Sequence, residues 1–438
     1  MADTIFALAT PPGRSGVAVI RLSGPDALSI SQRLVVGALP KPRQAGLRRF
    51  QTENGEVFDQ GLVLVFPGPS SFTGEDCVEL HLHGGSAILS AASEALVVLG
   101  TRPAEAGEFT RRAFENGKLD LTEAEGLADL IDAETSAQRQ QALAQLSGSL
   151  RRVYESWRED LVATLAAIEG EIDFPDEADV PDDQSHQAWE PLSQLIESMS
   201  DHLDDDRRGE RVRTGFSIVL IGAPNAGKSS LLNRLARRDA AIVTDTPGTT
   251  RDIVEVRLVM GGFPVVVSDT AGLRDAVDAI EAEGVRRALD RADHADLRIG
   301  VVDARRLADL EDLRGRLKDT DLAVINKLDL APGAPLDGAL GLSAKSGEGL
   351  DALEARIEQI VVDRLSARET PALSRARHRR SVQSARDALV RARTMLADAP
   401  ELAGEDARLA VRALESLTGR VDVEDVLDRV FSQFCIGK

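Results

Sequence analysis

The residues best suited to chemistry are Gly222-Ala223-Pro224-Asn225-Ala226-Gly227-Lys228-Ser229, which follow the apolar run 216–221 and precede a helical pattern. Strand, glycine-spaced loop and helix, in that order, form a phosphate-binding loop. Two glycines let the backbone curl so that its N–H groups point inward at phosphate oxygens. Lys228 supplies a point charge to the β and γ phosphates, the Ser229 hydroxyl suits Mg²⁺, and the helix start adds its positive end.

Four further pieces follow in order. Thr249 and Thr250 lie in the stretch 244–251, placed where a loop closes on metal and γ-phosphate. Asp269-Thr270-Ala271-Gly272 follows the apolar run 265–267; Asp269 suits the metal's water shell and the Gly272 N–H the γ-phosphate. Asn326-Lys327-Leu328-Asp329 follows the run 322–325. A carboxylate at Asp329 accepts both a guanine N1–H and its amino group, donors that adenine lacks there, so GTP is the expected nucleotide. Ser343-Ala344-Lys345 completes the base pocket.

Where Ras-like proteins place a water-orienting glutamine, directly after the Asp-Thr-Ala-Gly piece, this chain has Leu273. Glu281 and Glu283 are both candidates for that task, and a glutamate favoured by a helix start is an equal reading of either. Asn225, inside the loop, offers an oxygen for a monovalent cation that would neutralise developing charge as an arginine finger does.

The elements that must carry these loops can be read in outline. The 438 residues are too many for one core and imply two to four domains. Residues 1–118 mix short β-like runs (17–22, 62–66, 78–82) with turns and one helical stretch near 87–99, an α+β domain. From 119 to 213 the texture is helical. Leu146, Leu150, Val153, Trp157, Leu161, Leu165, Ile168 and Ile172 recur every three or four residues, as on one side of a long helix. Residues 173–183, rich in Asp, Glu and Pro, read as a loop. Residues 214–370 alternate β-branched and helical runs, the pattern of a parallel sheet with crossover helices. Helical texture returns over 371–438. An α/β domain inserted into one helical domain is the simplest account; two unrelated helical pieces are the alternative.

Hydrophobic residues make up 43% and charged ones 28%, the balance of a folded soluble protein. No apolar run has membrane-spanning length and no leader pattern opens the chain. Two distant cysteines, Cys77 and Cys435, argue against a disulfide scaffold and for a cytoplasmic setting. With 52 basic against 72 acidic residues the net charge is −20, so nucleic acid can be held only at local basic patches. Two stretches qualify: Arg375, Arg377, Arg379 and Arg380, and Arg207, Arg208, Arg211 and Arg213. Solvated helix faces explain each equally well.

Three further stretches narrow the choice among GTPases: Thr10-Pro-Pro-Gly-Arg-Ser-Gly16, the run 107–121 (GEFTRRAFENGKLDL) and the C-terminal Phe434-Cys435-Ile436-Gly437-Lys438. Together they resemble the MnmE (TrmE) family of tRNA modification GTPases over essentially the whole chain. The resemblance implies a multidomain α/β plus α protein: an N-terminal α+β domain that binds folate and dimerises, a discontinuous helical domain, and an inserted Ras-like P-loop GTPase domain. It implies a homodimer whose G domains meet in a K⁺-dependent way. With the flavoprotein MnmG, such a protein installs a carboxymethylaminomethyl or aminomethyl group on carbon five of the wobble uridine of certain tRNAs. A formyl- or methylene-tetrahydrofolate supplies the bridging carbon.

Residue by residue, the resemblance places folate contacts at Arg21, Glu79, Lys118 and Lys438. It places nucleotide contacts at Asn225, Ala226, Gly227, Lys228, Ser229 and Ser230, at Thr244, Asp245, Thr246, Pro247, Gly248, Thr249 and Thr250, at Asp269, Thr270, Ala271 and Gly272, and at Asn326, Lys327 and Asp329. Ser229 and Thr250 match Mg²⁺ ligands, and Asn225, Thr244, Thr246 and Thr249 the K⁺ site. Glu281 matches the water-orienting glutamate. The resemblance also puts Cys435 near the folate and tRNA chemistry. Arg21, Lys118 and Lys438 suit folate carboxylates and Glu79 suits ring N–H groups. Thr246-Pro247 stands where many relatives have an aliphatic residue and Ala, which stiffens the loop. A pure regulatory switch and a membrane-remodelling GTPase are the rival readings; the N-terminal stretches and the tail speak against the first, and the lack of an amphipathic basic anchor against the second.

Overall fold

The computed structural model describes residues 3–173, 184–237, 255–269, 294–334, 336, 338–366, 371–421, 424–432, 434 and 437. Two sheets organise them. The first contains β1 (Ile5–Leu8), β2 (Ala18–Ser23), β3 (Gly46–Gln51), β4 (Val57–Phe66), β5 (Cys77–Leu82) and β6 (Arg102–Pro103), in the order β3-β4-β5-β2-β1-β6. Its neighbours are antiparallel except β1 with β6. Inward residues alternate along β2 and β5, as a sheet with one covered face requires. Helices Ala27–Leu34 and Ser86–Val98 help close a core around Leu22, Phe50, Val63, Leu80 and Leu96. The helices at Ala27–Leu34 and Glu108–Glu115 are absent from the sequence reading of this region, being too short to show a clear period.

The second sheet contains β7 (Phe216–Ile221), β8 (Glu255–Met260), β9 (Phe263–Asp269), β10 (Leu297–Asp303), β11 (Leu322–Asn326) and β12 (Leu340–Gly341), in the order β12-β11-β10-β7-β9-β8. All its pairs are parallel except β8 with β9. Helices Lys228–Ala236 and Leu350–Leu365 cover one face, their Leu231, Leu235, Leu353 and Ile357 packing on Ile218, Leu220, Val265 and Ile299. Burial on both faces explains why these strands read as unbroken apolar runs.

The long helical stripe needs one correction. Leu146 belongs to the helix Ser136–Leu146, and a new helix runs Ser149–Asp173 after a break at Ser147-Gly148, where Gly148 takes a φ of +78°. Leu150, Trp157, Leu161 and Ile168 are buried as the stripe requires, joined by Tyr154, which the apolar count passed over. This helix packs along the helix Pro400–Thr418, with Arg158 paired to Glu415 at 2.9 Å and Arg408 to Glu169 at 2.6 Å. Segments from before and after the second sheet thus form one helical body. Backbone contacts group the chain as Met1–Ala128, Gln145–Leu195 and Asp387–Lys438 in one unit, and Asp129–Ala144 with Ile196–Arg386 in the other. The expected loop at 173–183 falls almost entirely outside the described residues; Asp173 itself ends a helix.

An ionic network ties the start of the chain to the helix Glu108–Glu115. Arg112 bonds Asp3 at 2.8 Å, Glu108 at 2.9 Å and Glu75 at 3.1 Å, while Arg102 bonds Glu108 at 2.6 Å and also Asp3. The Arg102 guanidinium holds the Asp3 carboxyl below its ordinary value. Burial pushes Glu108 up, but hydrogen bonds from Arg102, the Glu105 N–H and Arg112 outweigh it and leave Glu108 lowered too. Folded-state values depressed in this way contribute stability above the unfolded carboxylate pKa of about 4, which is lost as pH falls through the folded values. Arg102→Gln should therefore lower the denaturation midpoint at neutral pH and flatten its decline between about pH 5 and pH 2. An unchanged acid slope in the variant would count against the network.

Candidate nucleotide site

The C-terminal ends of β7, β9, β10 and β11 converge on one edge of the second sheet, where open parallel sheets bind ligands. The loop after β7 passes against its neighbours so closely that side chains are excluded. A Cβ on Gly222 would stand 2.2 Å from the Val301 carbonyl oxygen of β10, and one on Gly227 would stand 2.2 Å from Asn326 Nδ2. Their φ angles, +145° and +97°, are open to glycine. Asn225 also has a positive φ, +63°, which asparagine tolerates. The helix Lys228–Ala236 begins at once, aiming its first N–H groups into the loop.

Lys228 is 5% exposed and donates to the Gly222 carbonyl at 2.9 Å and the Ala223 carbonyl at 3.1 Å. Its ammonium is therefore inside the curl of the loop. The Ser229 hydroxyl donates to Asp269 Oδ2 at 2.5 Å, joining the first helical turn to the end of β9. A hydroxyl and a carboxylate side by side are hard oxygen donors suited to Mg²⁺, which usually takes one or two protein oxygens and completes its shell with phosphate and water. Among the described residues no cluster of three or more His, Cys, Asp or Glu could hold a metal ion by itself.

The base loop is locked to the phosphate loop. Asn326, 1% exposed at the end of β11, donates to the Ala226 carbonyl at 2.9 Å; its Oδ1 accepts from the Lys327 and Ala344 N–H groups at 2.8 and 3.0 Å. Ser343 donates its hydroxyl to Asp329 Oδ1 at 2.7 Å and accepts the Ser346 N–H at 3.1 Å. That orients the exposed Asp329 carboxylate beside the buried Ala344 and exposed Lys345. Lys327 has a φ of +68°, and its ammonium donates to the Asn225 carbonyl and, at 2.9 Å, to Asp303 Oδ2. Asp303 is absent from the sequence reading; its signal is a lone carboxylate ending the apolar strand β10. Hydrogen bonds from Arg305 and Lys327 hold its carboxyl well below the usual carboxylate range despite burial.

Asn225, Ala226, Gly227, Lys228, Ser229, Asp269, Asn326, Lys327, Asp329, Ser343 and Ala344 are thus brought together. Ser230 lies on the same first helical turn and is exposed. Thr244, Asp245, Thr246, Pro247, Gly248, Thr249, Thr250, Thr270, Ala271, Gly272, Glu281 and Glu283 lie outside the described residues.

The expected folate set divides. Arg21 on β2 faces Glu79 on β5 in register, and its Nε and Nη2 donate to Glu79 Oε1 at 3.1 and 2.8 Å. The guanidinium also lies over the Phe72 and Phe109 rings, 5.5 and 5.9 Å from their centroids. Arg21 and Glu79 therefore pair with each other, next to two aromatic rings and His81, whose Nε2 is 3.6 Å from Glu79 Oε2. A charged pair among aromatic rings fits a ligand carrying a carboxylate and a flat ring. Lys118 is exposed, with its Cε near Gly74, and shares no described contact with that pair. Cys435 and Lys438 lie outside the described residues, but Gly437 is buried where an added Cβ would meet the Leu8 carbonyl at 2.2 Å. Phe434 packs with Phe431 and Leu121. Gly437 therefore lies against β1, the strand whose Ala7 is paired with Arg21.

Comparison with known proteins places the chain in a family. Residues 121–435 match the family model described as the MnmE helical domain, and residues 4–118 the model described as the GTP-binding protein TrmE N-terminus. A protein of Maricaulis maris named tRNA modification GTPase MnmE is 73% identical over 438 residues, covering 100% of both chains. Those of the same name from Parvibaculum lavamentivorans and Caulobacter vibrioides are 54% and 53% identical, each again covering 100% of both chains. With its whole length matched at such identity, the chain belongs to the MnmE (TrmE) family.

Proposed function

We propose that this chain binds and hydrolyses GTP in the service of tRNA modification. The observation that carries the reading is the pairing of two recognition loops: Asp329, oriented by Ser343, stands on the loop that Asn326 and Lys327 bind to the phosphate loop. A triphosphate gripped by backbone amides and Lys228 then presents its base to a fixed carboxylate.

The finer reading follows the family. Ser229 and Thr250 would hold Mg²⁺, which would supply positive charge beside the phosphates. Asn225, Thr244, Thr246 and Thr249 would hold K⁺, which would supply the positive charge that an arginine finger gives elsewhere. Glu281 orients the attacking water, a task that Leu273 cannot perform. Arg21, Glu79, Lys118 and Lys438 bind a formyl- or methylene-tetrahydrofolate, the source of the one-carbon unit. Cys435 is assigned a chemical role beside them.

The working unit is a cytoplasmic homodimer, associated with MnmG, that acts on the wobble uridine of certain tRNAs to add a carboxymethylaminomethyl or aminomethyl group at carbon five. The proposed division is 1–118 for the folate domain, 119–213 and 371–438 for the helical domain, and 214–370 for the G domain. Hydrolysis works as a conformational clock in this scheme, because the G domain offers no folate-reactive group. Among the described residues no helix is long and apolar enough to cross a membrane.

Asp329→Asn should weaken GTP binding about ten- to hundredfold, the cost of losing hydrogen bonds to a charged acceptor; full affinity in the variant refutes the base assignment. GTP hydrolysis should run faster in K⁺ than in Na⁺, and equal rates would end the potassium assignment. Mass spectrometry of tRNA from cells lacking the protein should show loss of the substituted wobble uridines. Unchanged nucleosides would leave a GTPase with some other task.

A further inference from the structure

In the second sheet β10 lies between β7, which leads into the phosphate loop, and β11, which leads into the base loop. Its last residue, Asp303, is in register with Asn326 and only 7% exposed. Oδ2 accepts the Lys327 ammonium at 2.9 Å, and the same ammonium donates to the Asn225 carbonyl. Arg305 encloses the carboxylate from the other side, with Nε to Oδ1 at 3.0 Å, Nη2 to Oδ2 at 2.7 Å and its backbone N–H to Oδ1 at 3.0 Å. A buried carboxylate stays charged only when donors surround it in this way.

The arrangement has a directional logic. A lysine on a flexible four-carbon stem has many positions open to it. Lys327 leaves the base loop from a left-handed backbone position, which turns its stem toward the phosphate loop. A fixed anion at the end of the intervening strand selects one position for the ammonium, against the Asn225 carbonyl. We propose that Asp303 is a positioning residue for nucleotide binding: it anchors Lys327 across the gap and so sets the spacing between the phosphate loop and the base-reading loop. The proposal rests on the nucleotide reading of this site, and it assigns Asp303 no contact with the nucleotide itself.

The test is stopped-flow release of a fluorescent (mant) GDP from the full chain, with the nucleotide-free melting midpoint measured alongside. Asp303→Asn should speed release about tenfold, as loss of one charged hydrogen-bond acceptor predicts, and should raise KM for GTP more than it lowers kcat. Asp303→Glu should restore slow release in part. Lys327→Gln should speed release at least as much as Asp303→Asn, and the double variant should release no faster than Lys327→Gln alone, because Asp303 acts through Lys327. Arg305→Gln, at an exposed position, should speed release two- to threefold while leaving the fold intact.

Release at the wild-type rate in Asp303→Asn with a lowered melting midpoint would make the residue merely structural and overturn the proposal. Multiplying effects in the double variant would also overturn it, as would wild-type release in Arg305→Gln if Asp303→Asn does not fold. Wild-type protein that fails to hold mant-GDP would overturn the nucleotide reading itself, a distinct result.

Discussion

The site depends on the close approach of two backbone segments a hundred residues apart. Gly227 passes so near Asn326 that no side chain fits between them, and the amide of Asn326 closes the gap by donating to the Ala226 carbonyl. That contact, together with the Lys327 bond to the Asn225 carbonyl, joins the phosphate loop to the base loop. Were the loops independent, a ligand would have to order each at binding, and the entropy of that ordering would come out of the affinity.

The approach is possible because the second sheet is parallel, so the ends of β7, β9, β10 and β11 finish on one edge. Each strand contributes a different chemistry there: a lysine inside a glycine curl, a carboxylate facing the Ser229 hydroxyl, an enclosed anion, and an amide with a lysine. The apolar residues of the same strands and of the helices that cover them hold the edge in place. The tight core and the polar rim are therefore one design, since any slippage between strands would separate Ser229 from Asp269 and Lys327 from Asp303.

The first sheet uses charge differently. Arg21 and Glu79 meet across adjacent antiparallel strands, where directly opposed residues lie on the same face. Phe72, from the loop between β4 and β5, and Phe109, from the helix Glu108–Glu115, lie against the guanidinium. Beside that sheet the chain's last described glycine is buried against β1. A residue near the terminus and a residue near the start thus share one surface, and an acidic chain still concentrates a cation among aromatic rings there.

Much was legible in the sequence wherever chemistry is local. Residues 222–229 and 326–329 announced two loops by glycines, lysines and a carboxylate at fixed spacings, and the structure brings those loops together. Apolar runs before those loops announced buried strands, while the returning helical texture after 371 left one interrupted domain and two unrelated pieces both open, and the packing of the helix Ser149–Asp173 on the helix Pro400–Thr418 favours the first. Other features had no local signature. The break at Gly148 hid inside an unbroken apolar stripe, because Leu146 and Leu150 keep the helical spacing across it. The Arg21–Glu79 pair, Gly437 against β1 and the Lys327–Asp303 link depend on which strands lie next to each other. Strand order is set by packing energies summed over the whole core, and no single residue's type or spacing records it.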